Sequence, residues 1–240
     1  MRVRIRYTKL GKVRFLSHRD LARVLERGVR RAGLPVAYSE GYAPHARLHF
    51  GLALSVGHES LAEYLDVDLD PSRAEVDPRQ VAERLDPCVP AGIDVVAAVE
   101  LVPGTASLQE AVTSSTWSFE LPGADPARLS DATERLLAAP ELPVDLVRKG
   151  KQVREDLRPL LLGVAVERTD HGARLTAELG TKPRSVRPAE FLAALGVVDR
   201  GQPLEPTRVV RTQQWINDDG VRREPIELTP PSPHAEVRAS

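Results

Sequence analysis

The sequence predicts an α+β fold of two tandem ferredoxin-like (split β-α-β) units with antiparallel sheets. Three observations carry this reading. Strand-type alternation and helix-type spacing interleave in the order strand, helix, strand, strand, helix, strand over residues 2–102. The same order returns, more loosely, in the second half. A Pro/Gly/Thr/Ser-bearing stretch at 103–107 separates the two. The expected division is therefore 1–103, 111–217 and a tail at 218–240, whose Pro230-Pro231-Ser232-Pro233 points to disorder. A chain of 240 residues is long enough for each half to bury its own core.

Each element has a local reason. Arg2, Arg4 and Arg6 alternate with Val3, Ile5 and Tyr7, which predicts a strand over 2–8 with one basic and one apolar face. Gly11 marks a turn, and residues 13–16 are expected to extend or pair with that strand. Ser17 is a good N-cap, and Asp20 suits the positive end of the helix that follows. Leu21, Val24, Leu25 and Val29 form its apolar stripe, and Gly33 with Pro35 ends it. Short strands are expected at 36–39 and 47–56, on either side of an irregular loop at 40–46. Residues 63–69 alternate again, Asp77 caps a helix to Leu85, and 93–102 reads as a strand. In the second half, Trp117, Phe119 and Leu121 alternate within a strand at 116–121. Asp125-Pro126 opens a helix to Ala138. Residues 160–168 and 173–179 read as a hairpin around Asp170-His171-Gly172. A helix at 188–195 ends at Gly196, and 208–216 is the last strand.

Charge is segregated. The first 31 residues carry eleven Lys or Arg against Asp20 and Glu26, although the formal net charge of the chain is −1. Arg4 and Arg6 on a strand beside Arg23, Arg27 and Arg30 on a helix make a surface suited to phosphate. The same run also fits a solvated charged face. A second basic segment, Arg148-Lys149-Gly150-Lys151, and a third around Arg184 add candidate phosphate contacts, notably Lys149, Lys151 and Arg184 itself.

Other features exclude chemistry. Cys88 is the only cysteine, so neither an internal disulfide nor a self-contained iron–sulfur cluster is expected. No phosphate-binding loop of the Walker type, no GxGxxG after a strand and no GxSxG elbow occurs. No cofactor and no metal are expected. No apolar run approaches the roughly 18 residues needed to span a bilayer. The charged start of the chain does not read as a secretory signal, so a cytoplasmic protein without a membrane association is expected.

Four of the six histidines fall between residues 18 and 58. His45 sits in a loop, Ser39, Glu40, Gly41, Tyr42, Ala43 and Pro44 before it, of the kind in which binding groups concentrate. His45 and His18 are the candidate catalytic groups, since histidine is the natural acid–base at neutral pH.

Several of these stretches together resemble a known family. Lys12-Val13-Arg14-Phe15-Leu16-Ser17-His18-Arg19-Asp20-Leu21, the Leu34 to Tyr42 stretch and Gly57-His58-Glu59-Ser60 are similar to the bacterial radical-SAM-linked proteins. Asp156-Leu157-Arg158-Pro159 and Ser185-Val186-Arg187-Pro188 are weaker echoes. The resemblance implies a partner rather than a reaction: a radical S-adenosylmethionine protein, here encoded separately, which would carry the iron–sulfur cluster. One departure is Tyr42-Ala43-Pro44-His45-Ala46, where the family pattern leads to an Asn-Pro-His-Pro type of loop.

The expected function is a non-catalytic accessory protein that presents RNA or another substrate to that enzyme. One alternative is a metal-independent endoribonuclease using His45 or His18. The tandem fold reading brings CRISPR repeat-processing enzymes to mind by fold analogy alone. Another alternative is a protein-binding subunit that meets no nucleic acid.

Overall fold

Alternation at the start of the chain produces β1 (Arg2–Lys9), and a short 3-10 turn follows at Gly11–Phe15 in place of the expected extension. The computed structural model describes residues 1–42, 44–70, 72–74, 76–148, 150–199 and 203–226. Helix α1 (His18–Arg31) starts at Ser17, whose Oγ accepts the Asp20 N–H. Such a cap contributes about 1 kcal/mol. The helix ends in a Schellman arrangement: Leu34 N–H donates to Val29 O and Gly33 N–H to Arg30 O. Gly33 takes the left-handed φ of 63° that this ending requires.

The next strands are shorter or longer than expected. Residues 36–39 make only isolated bridges, Val36 to Leu69 and Tyr38 to Ala46. Of the expected strand at 47–56, only β2 (Leu48–Phe50) forms, and 51–58 is irregular. Strand β3 (Glu59–Asp68) begins earlier than its alternation suggested. Then come α2 (Gln80–Leu85), a 3-10 turn at Asp86–Cys88, and β4 (Val95–Glu100).

The second half opens with α3 (Leu108–Ala111), held by a full capping box between Ser107 and Glu110. It continues into β5 (Val112–Pro122) and α4 (Pro126–Ala138). The second basic segment lies where β6 (Pro143–Arg148) and β7 (Lys151–Asp156) form a separate two-stranded hairpin. A 3-10 turn (Arg158–Leu160) leads to the expected hairpin, β8 (Leu161–Thr169) and β9 (Gly172–Gly180). Helix α5 (Pro188–Asp199) passes through Gly196 rather than ending there. A Cβ at that glycine would meet nothing within 4 Å, so no close approach depends on it. Strand β10 (Arg208–Asp218) is followed by β11 (Val221–Arg223), so the stretch expected to be a tail begins with ordered backbone.

The result is mixed α/β with a large, mostly antiparallel sheet. The two halves do not carry separate sheets. One nine-stranded sheet runs β4-β1-β3-β10-β5-β9-β8, with β2 on β3 and β11 on β10. The join is a parallel pairing of β3 with β10, Glu59 opposite Val210 and Ser60 opposite Arg211. Pairing covers strand edges that would otherwise be left open.

Two hydrophobic cores lie on this sheet. One packs Val3, Ile5, Leu65 and Val67 against Leu25 and Leu85 of α1 and α2. The other packs Phe119 and Leu175 against Leu129, Leu136, Phe191 and Leu195 of α4 and α5. Both cores are on one face. Arg211 lies opposite Trp117 and reaches Glu63, which points the same way along β3 as Leu65 and Val67. The other face carries α3 and a small cluster of Ala62, Tyr64, Leu108 and Ile226.

Candidate nucleic-acid interface

The strand-borne arginines are not presented at the surface. Arg4 is 2% exposed and makes a bidentate pair with Asp66, Nε to Oδ1 at 2.8 Å and Nη2 to Oδ2 at 2.9 Å. Arg6 is buried too, paired with Glu224 and placed over the Tyr64 ring. The expected basic face of β1 thus exists but is turned inward, onto carboxylates. Asp66 and Asp68 of β3 stand opposite Arg4 and Arg2 in the antiparallel register, so each arginine meets an acid across the strand. Burial alone would raise the Asp68 carboxyl. Hydrogen bonds from Arg2 and His49 outweigh that and hold it below its ordinary value.

The helix-borne arginines are different. Arg19, Arg23, Arg27, Arg30 and Arg31 are all exposed. Two of them make surface contacts within the helix, Arg23 with Asp20 at 3.5 Å and Arg30 with Glu26 at 3.1 Å. Exposed ion pairs of this kind hold a side chain by only about 0.2–1 kcal/mol. The apolar stripe of Leu21, Leu25 and Val29 faces the core, which leaves the cations outward.

The loop at 39–45 is closed at its neck. Ser39 N–H donates to His45 O, and His45 N–H donates to Ser39 Oγ at 3.0 Å. Glu40, Gly41, Tyr42, Pro44 and His45 are exposed, and Ala43 lies outside the described residues. Tyr42 has no cover at all. Neither the His45 ring nor the His18 ring has a hydrogen-bond partner among the described residues. His18 rests edge-on against Phe50, with ring centroids 5.0 Å apart. No acid–base pair is therefore built around either. Among the described residues, no group of three or more His, Cys, Asp or Glu side chains is placed to hold a metal ion.

The other basic candidates divide. Lys149 lies outside the described residues. Lys151 is exposed at the start of β7, in a hairpin that packs on α5 rather than on α1. Arg184 is committed to two carboxylates, Glu155 and Glu190, each at 2.6 Å. Arg187, three residues on, is exposed and makes no side-chain hydrogen bond or ion pair among the described residues.

The join between the halves holds a buried polar network. Glu59 accepts the Gly11 N–H at 2.8 Å and pairs with Arg14 and with Arg208 of β10. Burial opposes its ionisation, but these donors hold its carboxyl below the ordinary value. Glu63 accepts from Arg211 Nε at 3.0 Å and Nη2 at 2.5 Å. Lys9, buried beside them, donates to Arg14 O and Leu16 O, and burial lowers its pKa. His58 sits edge-on to Trp117, 5.9 Å between centroids, and burial with the Arg211 and Lys9 charges lowers its pKa. The stretches 12–21 and 57–60, conspicuous in the sequence, thus meet at this seam.

Beside the seam, on the helix-bearing face, is a cleft of about 540 Å³. Its walls are residues 52–56 and 185–188, and its floor includes Ser115, Trp117 and Arg211. Sequence reasoning missed all three floor residues. The signal available was the charge of Arg211 two positions after Val209, on the strand face that Val209 gives to the core.

No helix among the described residues is long and apolar enough to cross a membrane. No curated protein matches the chain. Residues 2–188 match the model of a family described as an uncharacterized protein conserved in bacteria (DUF2344). The match takes in α1, the seam residues of β3 and the second wall of the cleft, and the chain belongs to that family.

Proposed function

We propose that this protein is an RNA-binding accessory subunit that presents RNA to a separately encoded radical S-adenosylmethionine enzyme. One observation carries the RNA half of the reading. A single helix face displays five arginines whose only ion pairs among the described residues are two surface contacts. Exposed cations on a rigid element engage phosphates without first breaking a buried pair. Two exposed aromatic rings, Phe15 beneath Arg14 and Tyr42 at the loop tip, add surfaces on which unpaired bases stack. The partner half rests on the resemblance of the motifs at 12–21 and 57–60. With Cys88 as its one cysteine, the chain leaves cluster chemistry to the partner. A cytoplasmic location goes with this role.

The fold supports a modular version of the reading. The orders β4-β1-β3-β2 and β10-β5-β9-β8 are the order of a split β-α-β unit repeated. We therefore read the halves, 1–103 and 111–217, as two ferredoxin-like units fused edge to edge.

The test is the salt dependence of binding to a labelled single-stranded RNA. Each lost phosphate contact flattens the slope of log affinity against log salt by about 0.7 for a single strand. Arg23→Ala with Arg27→Ala should flatten it by about 1.4 in total. An unchanged slope, with the fold intact, would remove α1 from the interface. RNA cleavage in excess chelator that is lost in His45→Ala would replace the accessory reading with a nuclease.

A further inference from the structure

The cleft beside the seam has features that α1 does not explain. Ser115 is 2% exposed, lines the cleft, and its Oγ has no hydrogen-bond partner among the described residues. A buried hydroxyl is ordinarily satisfied, and one left open toward a cavity marks a place for a polar atom from outside. Arg211, also buried, lines the same floor. Its Nε and Nη2 are taken by Glu63 and the Leu52 carbonyl, while Nη1 makes no hydrogen bond among the described residues. At the rim stands Arg187, exposed and without an ion pair among the described residues, where α5 begins. Between rim and floor the walls are mostly apolar, with Leu52, Leu54, Val56 and Val186, interspersed with Ser55, Thr181 and Ser185.

The order of chemistry along the cleft narrows the ligand. A free cation at the mouth calls for an anionic group. An apolar middle calls for a flat or aliphatic body. A hydroxyl and a guanidinium at the floor call for a body with a polar far edge. A fatty acid would bury its tail on Ser115 and Arg211. Inorganic phosphate would leave the apolar walls uncovered. A nucleotide has all three parts in that sequence, and the volume lies within the range usual for small-molecule sites, about 300–1,000 Å³.

We propose that this cleft binds a nucleoside monophosphate, free or as the terminal nucleotide of an RNA, with its phosphate at Arg187 and its base beside Trp117, directed toward Ser115 and Arg211. The site is independent of the arginine face of α1 and stands or falls separately from it.

The experiment is calorimetric titration of the full chain with the four ribonucleoside 5′-monophosphates, the matching unphosphorylated nucleosides, and trinucleotides bearing a 5′-phosphate. Saturable binding of at least one monophosphate is expected, weaker for its nucleoside. Arg187→Ala should weaken it about tenfold or more, as loss of a charged hydrogen bond does. Ser115→Ala should weaken it severalfold while leaving the melting temperature of the free protein unchanged or higher, because that hydroxyl has no partner to lose. Arg23→Ala with Arg27→Ala should leave it unchanged. A trinucleotide that competes as well as the monophosphate identifies an RNA end, and one that does not identifies a free nucleotide. No saturation by any monophosphate or trinucleotide would overturn the proposal. So would binding that neither Arg187→Ala nor Ser115→Ala alters.

Discussion

Strand β1 and helix α1 draw on the same basic run, yet their arginines meet opposite fates. Arg4 and Arg6 lie under the surface in contact with Asp66 and Glu224, whereas Arg23 and Arg27 stand in solvent. The difference is one of geometry. A strand inside a sheet has neighbours on both sides and a covered face, so Arg4 meets Asp66 across the strand and Arg6 meets Glu224 of the segment laid over it. A surface helix offers its outer face nothing but water and its own next turn. Positive charge in sequence therefore says little about positive potential at the surface until the elements are known.

The largest way to break this contrast is to remove one partner of the buried pair. Arg4→Ala leaves Asp66 buried without its counter-charge, and the expected loss is about 3–5 kcal/mol of unfolding free energy in urea titration. Replacing both, Arg4→Met with Asp66→Leu, should recover most of that loss, because the penalty belongs to the unpaired charge. If Arg4→Ala unfolds at the wild-type midpoint, the pair is not the buried unit described.

An intermediate effect belongs to pH. Burial and the nearby Arg211 and Lys9 charges depress the pKa of His58 below its ordinary 6.5. The unfolded chain then takes up the proton first, so stability is full above about pH 6.5 and falls as pH drops through the folded value. His58→Gln should blunt that part of the acid dependence. Asp68 and Glu59, also depressed, contribute above their ordinary values of 3.8 and 4.5 and are lost at lower pH. An acid-melting profile unaltered by His58→Gln would place that ring outside the buried network.

The smallest effect sharpens the contrast from the other side. Arg27→Ala should move the urea midpoint by no more than the equivalent of about 0.5 kcal/mol, as surface substitutions do. A larger loss would mean that α1's outer face packs against something.

Much of the local structure was legible. Ser17 and Asp125-Pro126 mark helix starts, and Asp170-His171-Gly172 marks a hairpin, because capping and turn chemistry act within a few residues. Where tertiary context decides, the reading failed. Leu52 and Leu54 look like strand residues, but their chain leaves β3 after Phe50 to wall a cleft. The residues flanking Gly150 show no strand signal in the sequence, yet they pair as a tight hairpin whose turn uses Gly150 at a φ of 75°. The inward turn of the β1 arginines was half visible, since Asp66 and Asp68 alternate on β3 with the same period. What the sequence does not reveal is that these two strands are neighbours. The cleft was the least legible, because Ser115, Arg187 and Arg211 are brought together from three separate parts of the second half by the sheet and the start of α5.

The parallel join of β3 to β10 has a kinetic consequence. Its two residue pairs link positions 59 and 60 to 210 and 211, so well over half of the chain lies in the loop that they close. Each half assembles through pairings that span fewer residues than the join does, so the join has to wait until both ends are in place. Folding should therefore show the halves gaining structure before the Arg211–Glu63 contact forms. A ribosome still making β10 would hold an N-terminal half already collapsed, with the edge of β3 open and its Glu63 carboxylate still awaiting a counter-charge.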